Sequence, residues 1–395
     1  MMREIPGACL AAGLTITAAF AQAPPQTPSL GASSRADRHG PEAYVYVSAA
    51  IADSNSAEIY AYAAAPSGKL TPVSGSPYPY NVTYIAANGT YLFGSDASGT
   101  YIHAYSIDSD GALRYAASTN VVQPGSACDS PGALFLDLAS ETLYNVDYYG
   151  SDCTNAAYQA FAVDRSTGDL TLVHEANDGP NASVLRFNAS NTVAIGADCA
   201  KSRPAIYSYR RARDGSLTKI AAAPTFPPAV QDGVWCPYLV AADHANHIIV
   251  PMVPSSGYMQ HDGPYQLATY TLGANGTLST ASTYENMPKL AVGDLTDIRT
   301  APSGKFLAVA GANGLQMFQI DGGGTLTPYA RLLTSEEVDQ MFWDNRDHLY
   351  AISQSAGKLW GFTLASSGFT QSPGSPYSIP GAQNVAVQPL PFPSK

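Results

Sequence analysis

Apolar and polar positions alternate along most of the chain, and the alternation comes in one repeated form. Ile59-Tyr60-Ala61-Tyr62 reads as a strand, Pro66-Ser67-Gly68-Lys69 as a turn and Leu70-Thr71-Pro72-Val73 as a second, shorter strand. This hairpin returns from Ile102 to Leu113, Tyr158 to Leu170, Ile206 to Leu217, Leu267 to Leu278, Leu315 to Leu326 and Leu359 to Phe369. Each copy has an aromatic residue at its fourth position and a Gly shortly before the closing apolar residue. Between the hairpins lies a second unit, a strand pair joined by a polar turn, as in Thr83–Ala86 through Asn88-Gly89-Thr90 into Tyr91–Phe93. It recurs from Leu134 to Tyr144, Val184 to Ala194, Leu239 to Ile249, Ile298 to Leu307 and Met341 to Tyr350. Two such pairs make a four-stranded blade, and blades in series make an all-β propeller.

Counting the units gives the blade number. Seven outer hairpins meet six complete inner pairs. The first hairpin is preceded by one strand, Ala43–Val47, and the chain end supplies another, Asn384–Val387. The expected fold is therefore a seven-bladed β-propeller closed by the C-terminal strand pairing into the first blade. Gly75-Ser76-Pro77-Tyr78 and Gly374-Ser375-Pro376-Tyr377, each leading into an Asn-Val strand, echo one another as neighbouring blades would. An open stack of hairpins would leave unpaired edges. With strands lettered a to d outward, the d–a and b–c connections share an upper face and the a–b and c–d turns a lower one. The b–c loops of blades 1, 3, 4 and 5 are long, for example Pro251 to Pro264. That length marks either a binding face or tolerated insertions.

Composition agrees with this reading and limits the partners. The 395 residues are 13% charged and 45% hydrophobic, with 25 Tyr, 34 Gly and 29 Pro, which suits a large all-β core rich in turns. A net charge of −11 makes a nucleic acid a poor partner. Arg3, the apolar run from Ala8 to Phe20 and the Ala19-Phe20-Ala21 site read as a signal peptide over 1–21. A flexible leader over 22–42 and a single propeller domain over 43–395 follow. No other apolar run approaches the ~20 residues that span a bilayer. The mature chain is expected to be a secreted or periplasmic monomer without a cofactor.

Four cysteines remain after cleavage: Cys128, Cys153, Cys199 and Cys236. In an exported protein an even count points to disulfides, and the blade topology favours Cys128–Cys153 and Cys199–Cys236, each pinning an upper loop. The C-x-x-C spacing of a zinc site is absent, so no metal is expected.

Sharper chemistry centres on Arg186 and Arg299, which share one register of the innermost strands, where the other blades carry Tyr84, Leu136, Ala241 and Phe342. An arginine at an apolar register beside the channel must find a carboxylate or an anion. Asp137 or Asp297 would supply it internally; a ligand carboxylate or phosphate would supply it from outside. His261, in the long blade 5 loop, is the upper-face histidine; His244, His247 and His348 fall on lower turns, His103 in strand c and His174 after strand d. Asp96, Asp147 and Asp198 end b strands, and Asp129, Asp232, Asp294, Asp297 and Asp339 lie at strand-a entrances, where they would either ring a cation or sugar or simply terminate strands.

The aromatic c strands, the hairpins closing on Gly-x-Leu-Thr, the turn Ala301-Pro302-Ser303-Gly304-Lys305 and the doubled Gly-Ser-Pro-Tyr resemble the lactonase family of seven-bladed propellers, which includes bacterial phosphogluconolactonase and fungal carboxymuconate cyclase. The resemblance covers about residues 43–390 and implies lactone chemistry at the channel mouth through a His, Arg and carboxylate group. This chain lacks a histidine at a strand-a entrance, and its arginines are the match. Two readings follow. As a lactone hydrolase, the protein would hold a carboxylate or oxyanion with Arg186 and Arg299 and activate water with Asp147 or His261. As a non-catalytic scaffold, it would bind a carbohydrate or an extracytoplasmic protein through upper-face residues such as Tyr148, Tyr149, Tyr258 and Asp198.

Overall fold

The structure is a computed structural model and describes residues 40–390 apart from 97–99, 122–131, 148–156, 177–184, 200–203, 221–225, 229–232, 257–260, 330 and 366–367. The expected signal peptide and nearly all of the leader lie outside the described residues.

The strands form seven antiparallel sheets, and each sheet is one blade. Blade 1 runs outward from Ala382–Pro389 through Ala43–Ala50 and Ala57–Ala64 to Leu70–Pro72. Its innermost strand is the end of the chain, in register Val45↔Val387 and Val47↔Val385, so the ring is closed as the strand count requires. Blade 2 is Val82–Ala87, Tyr91–Asp96, Tyr101–Ile107 and Leu113–Asn120. Blades 3, 4 and 6 begin with Leu134–Leu136, Arg186–Phe187 and Leu295–Thr300 respectively, and blade 7 with Gln340–Trp343.

Blade 5 departs from the expected pattern. Its inner strand is split into Val234–Pro237 and Ala241–Ala242, and the Leu239-Val240 pair expected as strand lies in the break. Its second strand, His247–Ser255, includes Pro251 and Pro254, so the upper loop starts later than the prolines suggest. Pro251 lies at that break and Pro254 past Met252, the last residue paired with strand c, so in both places a missing ladder N–H is tolerated. His174 likewise lies within strand d of blade 3, Leu170–Ala176, rather than after it.

Two repeated turns explain the repeated sequence. In the a–b turns, Asn88, Asp137, Asn188, Asp243 and Asp344 each accept two backbone N–H bonds through Oδ1, for example Asp137 from Glu141 (2.7 Å) and Thr142 (2.8 Å). These Asx turns place Ser140, Asn191, Asn246 and Asp347 at positive φ three residues later, as Gly304 is in blade 6. In the c–d turns the recurring Gly is left-handed and pressed against the blade before it. A Cβ on Gly111 would stand 2.3 Å from the Tyr44 ring, and one on Gly215 would stand 2.6 Å from Thr142. Tyr46 and Tyr144 donate their hydroxyls to the carbonyls of these same glycines.

The aromatic residue at the fourth hairpin position is buried in every blade: Tyr62, Tyr105, Phe161, Tyr209, Tyr270, Phe318 and Phe362. Each fills the wedge between neighbouring sheets, with full burial contributing about 2–3 kcal/mol per ring.

Candidate functional site

Around the axis, each innermost strand has one edge turned to the channel, and its N–H groups there have no ladder partner. Side chains of the preceding blade supply acceptors. Asn384 of blade 1 accepts from Ile85 N of blade 2 (3.2 Å), Gln340 of blade 7 from Val385 N of blade 1 (2.5 Å), and Asp297 of blade 6 from Met341 N of blade 7 (3.1 Å). The inner wall is thus pinned blade to blade by polar residues at strand-a positions.

Arg186 and Arg299 stand on this wall at one register. Arg186 pairs with Ile195 and Arg299 with Ala308, each the third residue of its b strand. Counted from the a–b turn, the same position holds Ala241 in blade 5 and Phe342 in blade 7, as expected, but Ala86 in blade 2 and Phe135 in blade 3. Tyr84 and Leu136 are therefore off this register. The Asx turn fixes the alignment: these positions lie two residues before Asn88, Asp137, Asn188, Asp243 and Asp344, a constraint stronger than the hydrophobic pattern that suggested the other two.

The two guanidinium groups, from blades 4 and 6, converge on one carboxylate. Asp297 receives Arg299 Nε at 3.0 Å and Arg186 Nη2 at 3.6 Å, and Arg186 Nη2 also donates to the Ile298 carbonyl at 2.9 Å. Arg186 reaches past blade 5, where Ala241 at the shared register offers no bulk in the way. Arg299 lies over the Phe342 ring, with its guanidinium carbon 4.2 Å from the centroid. Both arginines and Asp297 are buried. Burial holds Arg186 well below its usual pKa; the Arg299 charge adds to this and Asp297 opposes it. Burial pulls Arg299 down to about 10, against the charge and hydrogen bond of Asp297. Of the two internal partners considered for the arginines, Asp297 is the one used. Asp137 instead binds Arg211 (2.7 Å) and Asn191 on the lower face.

The other candidate residues stand higher. Asp147 and Asp198 each end a b strand three positions above the arginine register, about 10 Å at the usual strand rise. Their side chains lie outside the described residues, as do Tyr148, Tyr149, Tyr258, Cys128 and Cys153. His261 is exposed on the upper face, with Nε2 2.6 Å from Tyr238 Oη and Nδ1 3.5 Å from Tyr265 Oη. Tyr238, which sequence reasoning missed, lies in the break of the blade 5 inner strand, three residues before Ala241. The bulge that carries it has no signature in the alternation pattern. The structure thus brings Arg186 and Arg299 together and places His261 in a separate aromatic cluster above them. Cys199 and Cys236 are joined, with Cα atoms 5.1 Å apart, tying the top of blade 4 to the entrance of blade 5 beside Tyr238.

A closed ring of seven four-stranded blades with a charged cluster on its inner wall places the chain among the seven-bladed β-propellers. No family profile matches the sequence, and no curated protein matches it either. Among solved structures, it is similar to the periplasmic gluconolactonase of Pseudomonas aeruginosa at 15% identity, with a TM-score of 0.64 over 88% of this chain and 99% of that one. A Lactobacillus plantarum protein gives 16% identity and a TM-score of 0.64, covering 88% and 99% of the two chains. A Bacteroides fragilis protein assigned provisionally as a 6-phosphogluconolactonase gives 14% and 0.64, covering 89% and 99%. At these identities the likeness is one of fold.

Proposed function

We propose that this protein is an exported lactonase-like propeller that binds an anionic sugar lactone in the upper channel and opens it by hydrolysis. The observation that carries the reading is the convergence of Arg186 and Arg299, from blades 4 and 6, on the channel wall of a fold shared with a gluconolactonase. A carboxylate or phosphate would meet two guanidinium groups that share one carboxylate, Asp297, and whose charge burial disfavours, with Arg299 adding to this at Arg186. With the candidate water-activating groups, Asp147 and His261, standing above the arginines, the anionic end of the substrate sits low and the lactone carbonyl high. A base at that level takes a proton from water as its oxygen bonds to the carbonyl carbon. The ring C–O bond then breaks, and its oxygen takes up a proton to give the open hydroxy acid. The disulfide and the signal-like N-terminus support an extracytoplasmic location.

The pairing of both arginines with Asp297 also favours a second reading, a non-catalytic propeller that holds an anionic sugar or protein group. One experiment separates the two. Hydrolysis of glucono-δ-lactone and 6-phosphogluconolactone is followed by base uptake, and binding of gluconate and 6-phosphogluconate by calorimetry, for the native protein and Arg186→Met and Arg299→Met. Turnover lost in both variants supports the enzyme. Binding without turnover, lost in the same variants, supports the scaffold. Turnover unchanged by either variant removes the arginines from the site.

A further inference from the structure

Blade 2 carries a second surface feature, on the opposite side of the sheet ring from the channel. Its outer strand, Leu113–Asn120, is eight residues long, whereas the outer strand of blade 1 beside it, Leu70–Pro72, has three. The blade 2 hairpin therefore overhangs its neighbour. On strand c, Ile102 and Ala104 are buried in the core shared with Tyr91 and Phe93, and Tyr101, His103 and Tyr105 alternate onto the opposite face. Blade 1 covers only the lower part of that face, where Tyr80 stacks on Tyr105 at 4.2 Å and Tyr78 follows at 5.8 Å. Above this, among the described residues, the rings continue into an exposed pair, Tyr101 and Tyr115, with His103 half-buried between them. His103 lies 6.3 Å from Tyr105, Tyr101 lies 6.2 Å from His103 at an interplanar angle of 13°, and Tyr115 lies 6.1 Å from His103. Tyr115 is 57% exposed and Tyr101 39%.

From this ladder we infer a binding site for an uncharged glycan chain on the outer hairpin of blade 2, centred on Tyr101, His103 and Tyr115. The C–H faces of pyranose rings stack on aromatic faces, and the tyrosine hydroxyls offer hydrogen bonds to sugar hydroxyls at the ring edges. The near-even spacing of the rings suits successive sugars of an extended chain. Charge narrows the ligand further. Asp96, Asp108 and Asp110 border the hairpin, and its Arg114 is held by Asp108 at 2.7 Å, so a polyanion is repelled and a neutral polymer is not. Area argues against a second copy of the chain as the occupant. The two exposed tyrosines offer about 200 Å², whereas a stable protein partner needs about 800 Å² on each side. The inference is independent of the channel chemistry, since none of these residues lies on an inner strand.

Native affinity electrophoresis in gels containing laminarin, hydroxyethylcellulose, xylan or dextran tests it, with alginate as the anionic control. The native protein is expected to be retarded by at least one neutral polymer. Tyr101→Ala/Tyr115→Ala is expected to weaken that binding at least about tenfold, two stacked rings being lost, whereas Tyr101→Phe/Tyr115→Phe keeps most of it. Tyr115→Ala alone, at the most exposed position, reports the same effect if the double variant does not fold. Retardation by none of the neutral polymers overturns the inference, as does equal retardation of native and Ala variants or retardation by alginate alone. Concentration-dependent self-association that the Ala variants abolish, with no glycan binding, assigns the face to a second copy and overturns it as well.

Discussion

Asp297 is the residue whose removal the structure makes most costly. Its carboxylate is 2% exposed and is shared by Arg186 Nη2 (3.6 Å), Arg299 Nε (3.0 Å), Ile298 N (2.9 Å) and Met341 N (3.1 Å). In Asp297→Asn the side-chain oxygen can still accept from a backbone N–H, but two buried guanidinium groups lose the carboxylate they share. Breaking a buried ion pair from one side typically costs about 3–5 kcal/mol. With a urea slope of about 3 kcal/mol/M, the unfolding midpoint falls by roughly 1 M or more. Arg186→Met in the same background removes one of the two buried charges and fills its volume, so the double variant is expected to recover much of the loss. The assay is urea unfolding followed by tryptophan fluorescence on the native protein, the two single variants and the double variant. A midpoint for Asp297→Asn within about 0.3 M of the native value, or strictly additive losses in the double variant, would refute the coupled cluster described here.

The remaining predictions concern the frame around that cluster. Replacing both Cys199 and Cys236 by Ala, which opens a link spanning 37 residues, is expected to cost about 4 kcal/mol on the chain-entropy argument, and a non-reducing urea titration that shows no change contradicts it. Gly111→Ala combines φ +84° with a Cβ 2.3 Å from the Tyr44 ring and should destabilise by about 1–3 kcal/mol, seen as a lower Tm. Burial raises the pKa of Asp339 despite the Gln354 N–H it accepts, so its charged form costs stability above the folded value and nothing below about 3.8. Asp339→Asn should stabilise the protein at pH 7, and the gain should vanish near pH 3.5. For His348, burial alone would lower the pKa, but the hydrogen bond and charge of Asp344, with the charge of Glu42, leave it raised. Its contribution is therefore complete below about pH 6.5 and lost as pH rises through the folded value, and His348→Gln should flatten the stability profile over that range.

How far the sequence reached can be judged from particular residues. Blade count and ring closure were legible because they follow from repetition. A buried aromatic at the fourth hairpin position and a left-handed Gly at the c–d turn are each required once per blade, so the same local physics writes the same letters seven times. The Cys199–Cys236 pair was legible for the same reason, since strand lettering alone brings the top of one blade beside the entrance of the next. Register was legible only in part. The hydrophobic pattern put Tyr84 and Leu136 level with the arginines, whereas the Asx residues, constrained by two backbone hydrogen bonds each, put Ala86 and Phe135 there.

The site was hardest to read because its geometry depends on contacts that skip a blade. Arg186 meets Asp297 and Ile298 across blade 5, at a sequence separation of more than a hundred residues; the shared register marked both arginines and Asp297 stood among their possible partners, but no periodic signal chooses it over Asp137. What permits it is a small side chain, Ala241, at the position where the intervening blade could have blocked the path. In a propeller the fold is thus carried by what the blades repeat, and the chemistry by what one blade omits. On the rim the difference is an addition: the outer strand of blade 2 has eight residues where those of blades 1, 4, 5 and 6 have three, and it carries the exposed Tyr115 beside Tyr101. Both candidate sites thus depend on a local difference between neighbouring blades, Ala241 at the shared register of blade 5 and the eight-residue outer strand of blade 2.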